Sequence, residues 1–206
     1  MTHETISTKL TLLLTDTLPG TKAQLALAPE GRRLDVDDSR YRHAAVLVAL
    51  HQREGVWGFP LIVRVVDEYV HSGQIGLPGG RLEEGEELDA CALRESEEEI
   101  GLPAGAVELV GKLTPLPVPV SHHLIHPFVG ITGDDVSLTP DPREVEDILF
   151  MPVAELLADD ARREGDVMAG RTRIRRVPLF ELGEHRIWGA TGMILAELRE
   201  LLKQVF

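Results

Sequence analysis

Apolar residues at Ile6, Leu10, Leu13 and Leu14 recur at helical spacing, which predicts an amphipathic helix over residues 5–16. Residues 21–42 lose that period and read as irregular, with "PEG" and "DVDDS" as turn signals. The run "HAAVLVAL" (43–50) reads as a buried strand. "EGVWG" then turns the chain into a second strand, "FPLIVRVV" (59–66), so the pair predicts a hairpin. A long glycine-rich connection, "HSGQIGLPGGRLEEGE", leads to a helix over 87–100 that Gly101 and Pro103 stop. "AVELVGKLTPL", "LIHPFVGI" and "EVEDILFMPV" follow as strands, and "AELLADDARR" as a short helix. "TRIRRVPLFEL" and "EHRIWG" read as a hairpin. "TGMILAELRELLKQVF" closes the chain as an amphipathic helix with Thr191 as its N-cap. Strands on either side of a central helix, with a long helix at the end, imply an α/β fold: a mixed sheet with helices on both faces. There is no internal repeat and no linker long enough to divide the chain.

Composition narrows the function classes. The 206 residues are 43% hydrophobic and 27% charged, which suits one well-buried core. No apolar run approaches the roughly 18 residues a membrane helix needs, and the opening residues lack the basic, then apolar, layout of a secretory signal. No membrane partner is expected. The single cysteine, Cys91, excludes an internal disulfide and makes a reducing cytoplasm the default setting. A net charge of −13 argues against a nucleic-acid partner, because phosphate backbones need Lys and Arg. A small phosphorylated molecule stays open if a cation stands between the acids and the phosphates.

The central helix carries the chemistry. On a wheel, Leu88, Ala92, Glu95 and Glu99 share one sector, flanked by Cys91 and Glu98. The apolar stripe therefore runs into carboxylates in the later turns. Glu95 and Glu99 repel as an i,i+4 pair, at roughly 0.2–0.5 kcal/mol. Acids near the helix C-terminus also oppose the macrodipole, at about 0.3–1 kcal/mol each. A divalent cation offsets both, since hard ions take oxygen ligands from several carboxylates. The plainer alternative is a solvated acidic face, and the shared sector with Leu88 and Ala92 argues against it. Arg94 lies on another side, where it is expected to pair with Glu86 rather than neutralise the cluster. Gly79 and Gly80 permit a tight path and an exposed carbonyl just before the helix. Cys91, beside the apolar stripe, reads as a buried inert thiol.

Gly80, Glu86, Arg94, Glu95, Glu98, Glu99, Gly101 and Leu102 resemble the Nudix box, G-x5-E-x7-R-E-U-x-E-E-x-G-U with U aliphatic. Ser96 departs, standing where an aliphatic residue is usual, a change expected to touch packing rather than metal binding. The resemblance implies a Nudix α/β/α sandwich with a mixed sheet, and metal-dependent hydrolysis of a nucleoside diphosphate linked to another group. It implies Mg²⁺ or Mn²⁺ held by Glu95, Glu98, Glu99 and the Gly80 carbonyl, with Glu86 and Arg94 bracing the loop and helix. It also implies a general base, either Glu95 or a later glutamate, Glu144 or Glu146, which could instead be a further metal ligand.

Around the box, "LIVRVVDEYVHSGQIGLPGG" is similar to the signature of the coenzyme A diphosphatase branch, with Arg64, Gly73, Pro78, Gly79 and Gly80 aligned. That narrower resemblance implies coenzyme A or a derivative as substrate, cut to 3′,5′-ADP and 4′-phosphopantetheine, with Arg64, Gly79 and Gly80 at the substrate. Val65, Tyr69 and Leu77 depart from the signature. Tyr69 loses a guanidinium fork, which keeps ADP-ribose, NADH and dinucleotide polyphosphates as alternative substrates. A non-catalytic nucleotide-binding module is the remaining rival, and the full set of acids speaks against it. Residues 1–42 lie outside the resemblance and read as a packing arm or a homodimer contact on a hydrolase domain of 43–206.

Overall fold

The computed structural model describes residues 2–32, 34, 40–65, 74–133, 136–170 and 172–206. Helix α1 (His3–Thr15) starts at Thr2, whose hydroxyl accepts the Thr5 N–H at 3.3 Å, and buries Ile6, Leu10 and Leu14. The segment read as irregular contains a short helix, α2 (Gly20–Leu25). The strands β1 (Arg42–Arg53) and β2 (Val56–Arg64) form the expected hairpin; Val66, the last residue of the expected second strand, lies outside the described residues. Next come β3 (Ile75–Gly76), β4 (Gly79–Arg81) and the central helix α3 (Leu88–Ile100). β5 (Val107–Lys112), β6 (Leu116–Val118), β7 (His123–Thr132), β8 (Val145–Pro152) and α4 (Val153–Leu157) follow. The chain ends with β9 (Arg162–Ala169), β10 (Thr172–Leu182), β11 (His185–Ile187) and α5 (Gly189–Leu202).

The main sheet runs β3-β2-β1-β7-β5, with β4 also on β1, β6 on β7 and β8 on β2. Only the β1–β7 pairing is parallel among the described strands, so the sheet is mixed. β1 explains the layering. Ala45, Leu47 and Ala49 pack with Cys91, Ala92 and Ile100 of α3, while Val46, Val48 and Leu50 pack with α5 and α1 on the other face. Strand alternation thus supplies two apolar faces from one apolar run, and the molecule is an α/β/α sandwich. A buried carboxylate ties α2 to this core: Glu197 of α5 accepts from the Gly20 N–H at 3.1 Å, the Gln24 amide at 2.9 Å and the Thr114 hydroxyl at 2.7 Å. No helix among the described residues is long and apolar enough to cross a membrane.

Three further expectations change. Thr191 is not the N-cap of α5: the helix starts at Gly189 with Trp188 in the cap position, and the Thr191 hydroxyl donates to the Ile75 carbonyl at 3.0 Å. "AVELVGKLTPL" is two strands, because Leu113 donates to Pro127 and Pro115 has no N–H to continue the ladder. The expected helix "AELLADDARR" stops at Leu157, and Arg162 already belongs to β9. That strand carries no alternation to read, since Val167 is its one buried residue. It joins β10 and β11 in a separate three-stranded sheet.

Candidate active site

Gly79 and Gly80 on β4 lie against Val46 and Ala45 of β1, directly under α3. A Cβ on Gly79 would strike the Ala45 carbonyl and the Val46 backbone, and its φ of 147° is one few side chains tolerate. A Cβ on Gly80 would overlap the Glu95 carboxylate. The glycine pair therefore sets how closely an acid of α3 approaches the strand. Gly80→Ala should displace Glu95 and lower turnover by ~10–100-fold. The melting temperature should move little, since Gly80 is only half-buried. Steady-state rates and thermal melts check both halves.

The end of α3 is fixed as firmly as its floor. Gly101 sits in the left-handed region at φ 67°, and its N–H donates to Glu97 while that of Leu102 donates to Ser96. This is a glycine-capped helix end. A loop following β7 closes over it: the Thr139 N–H donates to the Ile100 carbonyl and the Asp141 N–H to the Glu99 carbonyl, both at 2.9 Å. The Asp141 side chain accepts the Arg143 N–H at 3.0 Å, and its carbonyl accepts those of Glu144 at 3.0 Å and Val145 at 2.8 Å. This aspartate turn is what presents Glu144, a role the sequence reading missed although "PDPRE" carries the turn signal.

Glu99 is the most constrained acid. It is 2% exposed, accepts the Gly79 N–H at 2.8 Å and lies 3.5 Å from the Arg64 guanidinium. Burial pushes its pKa up to about 7, against the pull of Arg64 and the Gly79 N–H; the charges of Glu95 and Glu144 push the same way as burial. Burial likewise raises Glu95, although Arg94 opposes it and Glu98 and Glu144 add repulsion. Glu98 is 60% exposed. Glu144 and Glu146 are both exposed, but Glu144 is the one whose charge reaches Glu95 and Glu99.

Arg94 does more than expected. It holds Glu86 with two donors, at 2.8 and 3.1 Å, and thereby keeps that carboxyl down at about 2. Its third nitrogen donates to Glu95 at 2.9 Å and Glu98 at 3.0 Å, so it also neutralises the cluster. The side chain is long enough to leave its wheel sector and bridge both groups. Arg64 faces inward too, donating to the Gly79 carbonyl at 3.2 Å beside Glu99. Ser96 is buried, and its hydroxyl donates to the Ala92 carbonyl at 2.7 Å, which satisfies it inside the helix. Cys91 lies under the Gly80 carbonyl at 3.8 Å, and burial raises its thiol to about 11, so it stays protonated at neutral pH. Leu77 is core and Val65 donates to the Glu144 carbonyl at 3.1 Å, while Tyr69 and Gly73 lie outside the described residues.

Glu95, Glu98, Glu99 and the Gly80 carbonyl offer only oxygen donors. That set suits a hard divalent cation. Among the described residues no three side chains converge as a ready-made cage, because Arg94 stands between Glu95 and Glu98.

Comparison with known proteins bears on the family and the fold. The NUDIX domain family profile matches residues 41–169. The chain is 33% identical over 178 residues to a protein of Photorhabdus laumondii described as the uncharacterized Nudix hydrolase NudL, covering 86% of this chain and 92% of that one. A NudL of Escherichia coli O7:K1 is 33% identical over 159 residues, covering 77% and 81% respectively. Among solved structures, the Nudix hydrolase RenU of M. smegmatis superposes with a TM-score of 0.57 at 15% identity, covering 81% of this chain and 88% of that one, a likeness of fold. The family profile over residues 41–169, which hold the glycine strand and the acid-bearing helix, and the 33% identity along most of both chains place this chain in the Nudix hydrolase family.

Proposed function

We propose that this enzyme hydrolyses the diphosphate bond of coenzyme A or a CoA derivative, releasing 3′,5′-ADP and 4′-phosphopantetheine. Nudix hydrolases generally use divalent metal ions, and Mg²⁺ or Mn²⁺ is our reading here. The observation that carries it is the buried Glu99, held between the Gly79 N–H and Arg64, with Glu95 lying over Gly80. Glu95, Glu98, Glu99 and the Gly80 carbonyl would hold the ion. When bound, it supplies Lewis-acid polarisation of the phosphoryl group and a more acidic water.

The chain's own residues do the rest. Arg94 braces Glu86 to α3 and shares its charge with Glu95 and Glu98. Gly101 ends the helix so that Glu98 and Glu99 fall in its last turn. We read Arg64, with the Gly79 and Gly80 backbone, as the groups that face a substrate phosphate, supported by the contact of Arg64 with the Gly79 carbonyl. The general base is Glu95 or a glutamate of the later loop; Glu144 fits better than Glu146, because its charge already couples to the cluster. A carboxylate base must reach its water within hydrogen-bond distance, which a turn-mounted glutamate can do. Residues 1–42 are our candidate packing arm or homodimer contact on a domain of 43–206, and the lone Cys91 supports a cytoplasmic setting.

Val65, Tyr69 and Leu77 favour a second reading, a Nudix hydrolase of ADP-ribose, NADH or a dinucleotide polyphosphate. A substrate panel with Mg²⁺ and Mn²⁺ separates the two. Coenzyme A is expected to give the highest kcat/KM, by about tenfold or more, with both products seen by chromatography. A higher value for ADP-ribose would move the assignment to the second reading. Binding without cleavage at any metal concentration would make the protein a nucleotide-binding module.

A further inference from the structure

The main sheet ends at β3, whose strand partner among the described residues is β2. Arg64 donates its N–H to the Gln74 carbonyl at 3.1 Å, and the ladder continues with Val63 opposite Ile75 and Ile62 opposite Gly76. Hydrogen-bonded and non-hydrogen-bonded pairs alternate along an antiparallel ladder, so the Ile75 carbonyl points away from β2, off the edge of the sheet. Ile75 is 8% exposed, and a carbonyl buried there needs a donor. The Thr191 hydroxyl supplies it at 3.0 Å. Thr191 stands in the first turn of α5, a helix buried from Gly192 to Arg199, and Gly189, at φ 62°, turns the chain from β11 into it. The hydroxyl is therefore carried on a rigid element.

The other residue of β3 reaches the acid cluster. A Cβ on Gly76 would lie 3.5 Å from both the Arg64 Nε and the Ile62 Cγ1, and Ile62 packs on the α3 face of the sheet. The Arg64 side chain thus crosses β3 at Gly76 on that face. Its guanidinium then donates to the Gly79 carbonyl at 3.2 Å and meets Glu99 at 3.5 Å. β3 is the floor along which this arginine lies. The strand is two residues long, so its own ladder holds it with few bonds and a contact from outside counts for more.

We propose that Thr191 is a positioning residue for the hydrolytic site: by holding the Ile75 carbonyl it fixes β3, and β3 fixes the Arg64 guanidinium against Gly79 and Glu99. This rests on reading Arg64 as a group that faces a substrate phosphate. It goes beyond that reading by assigning the aim of Arg64 to α5, on the opposite face of the sheet. A hydroxyl that only stabilised the fold would act on melting and would do so whether or not Arg64 is present. One that aims Arg64 acts on substrate binding, and only through Arg64.

The test is a double-mutant cycle on the full chain at saturating Mg²⁺, with whichever diphosphate of the substrate panel is cleaved fastest. Thr191→Val keeps the shape and removes the donor; it should raise KM about fivefold with kcat within about twofold, the loss of one ordinary hydrogen bond. Thr191→Ser restores the hydroxyl and should return KM to within about twofold of wild type. Arg64→Ala should raise KM about tenfold or more, and in that background Thr191→Val should change KM by less than about twofold. In EDTA, the Arg64 side-chain N–H should exchange with water about fivefold faster in Thr191→Val than in wild type, a readout by NMR that needs no turnover. If Thr191→Val does not fold, Thr191→Ala takes its place in the same cycle. An unchanged KM in Arg64→Ala would remove Arg64 from the substrate, and the proposal with it. An impaired Arg64→Ala beside a normal Thr191→Val, or a Thr191 effect of equal size with and without Arg64, would keep Arg64 at the substrate and overturn the positioning role alone.

Discussion

Glu99→Gln is expected to lower metal-dependent turnover by ~10³-fold while the protein stays folded. The amide keeps the size of the carboxylate, and its oxygen can still accept the Gly79 N–H that now sits 2.8 Å from Glu99. What it removes is one negative charge from an all-oxygen donor set in a site that is 2% exposed. Several kcal/mol of electrostatic stabilisation depends on that charge, which converts to about three powers of ten in rate. Glu98→Gln tests the same idea from the exposed side, where Glu98 is 60% accessible and water compensates part of the loss; its effect should be smaller. The measurement is kcat across a full titration of Mg²⁺ and Mn²⁺, with circular dichroism to confirm the fold. A variant that keeps a tenth or more of the wild-type rate at saturating metal would remove Glu99 from the site.

The features legible in the sequence are those set by local spacing. The sector shared by Leu88, Ala92, Glu95 and Glu99 follows from helix geometry, and the structure buries Ala92 and Glu99 while half-burying Leu88 and Glu95. The glycine pair and the Gly101 stop follow from backbone sterics in the same way. Features that need the reach of a side chain or a long-range contact were not legible. A wheel gives the direction in which Arg94 leaves the helix, not the length that lets it span Glu86, Glu95 and Glu98. The resemblance puts Arg64 at the substrate, but its meeting with Glu99 appears only once β2 is folded beside α3. Glu144 and Glu146 look equivalent at alternate positions. The irregular register between Val63 and Arg64 shifts β8, and the Asp141 turn then sets Glu144 apart. β9 escaped notice because a strand exposed on both sides has no pattern to read.

The same buried acid should make the metal-free enzyme less stable as pH rises. Glu99 moves from an ordinary 4.5 in the unfolded chain to about 7 in the native one. Between those values the folded protein holds a proton that the unfolded chain has released, so stability falls as pH rises through this window and is level above it. The whole effect is about 3 kcal/mol at alkaline pH. Glutamine carries no such cost, so in EDTA at pH 8 Glu99→Gln should melt roughly 5–10 °C above wild type. Near pH 4, where wild-type Glu99 is protonated, the two should melt together. Glu95 is also raised, and Glu86 and Asp141 are lowered, but all three remain in both proteins and largely cancel in the difference. Saturating Mg²⁺ should then favour wild type, because an ion bound to the native state stabilises in proportion to its affinity and the variant lacks the charge that holds it. Parallel thermal melts from pH 4 to 9, with EDTA or Mg²⁺, give the four curves needed. A variant that melts below wild type in EDTA at pH 8 would mean that Arg64 and the Gly79 N–H already stabilise the Glu99 charge without a metal ion.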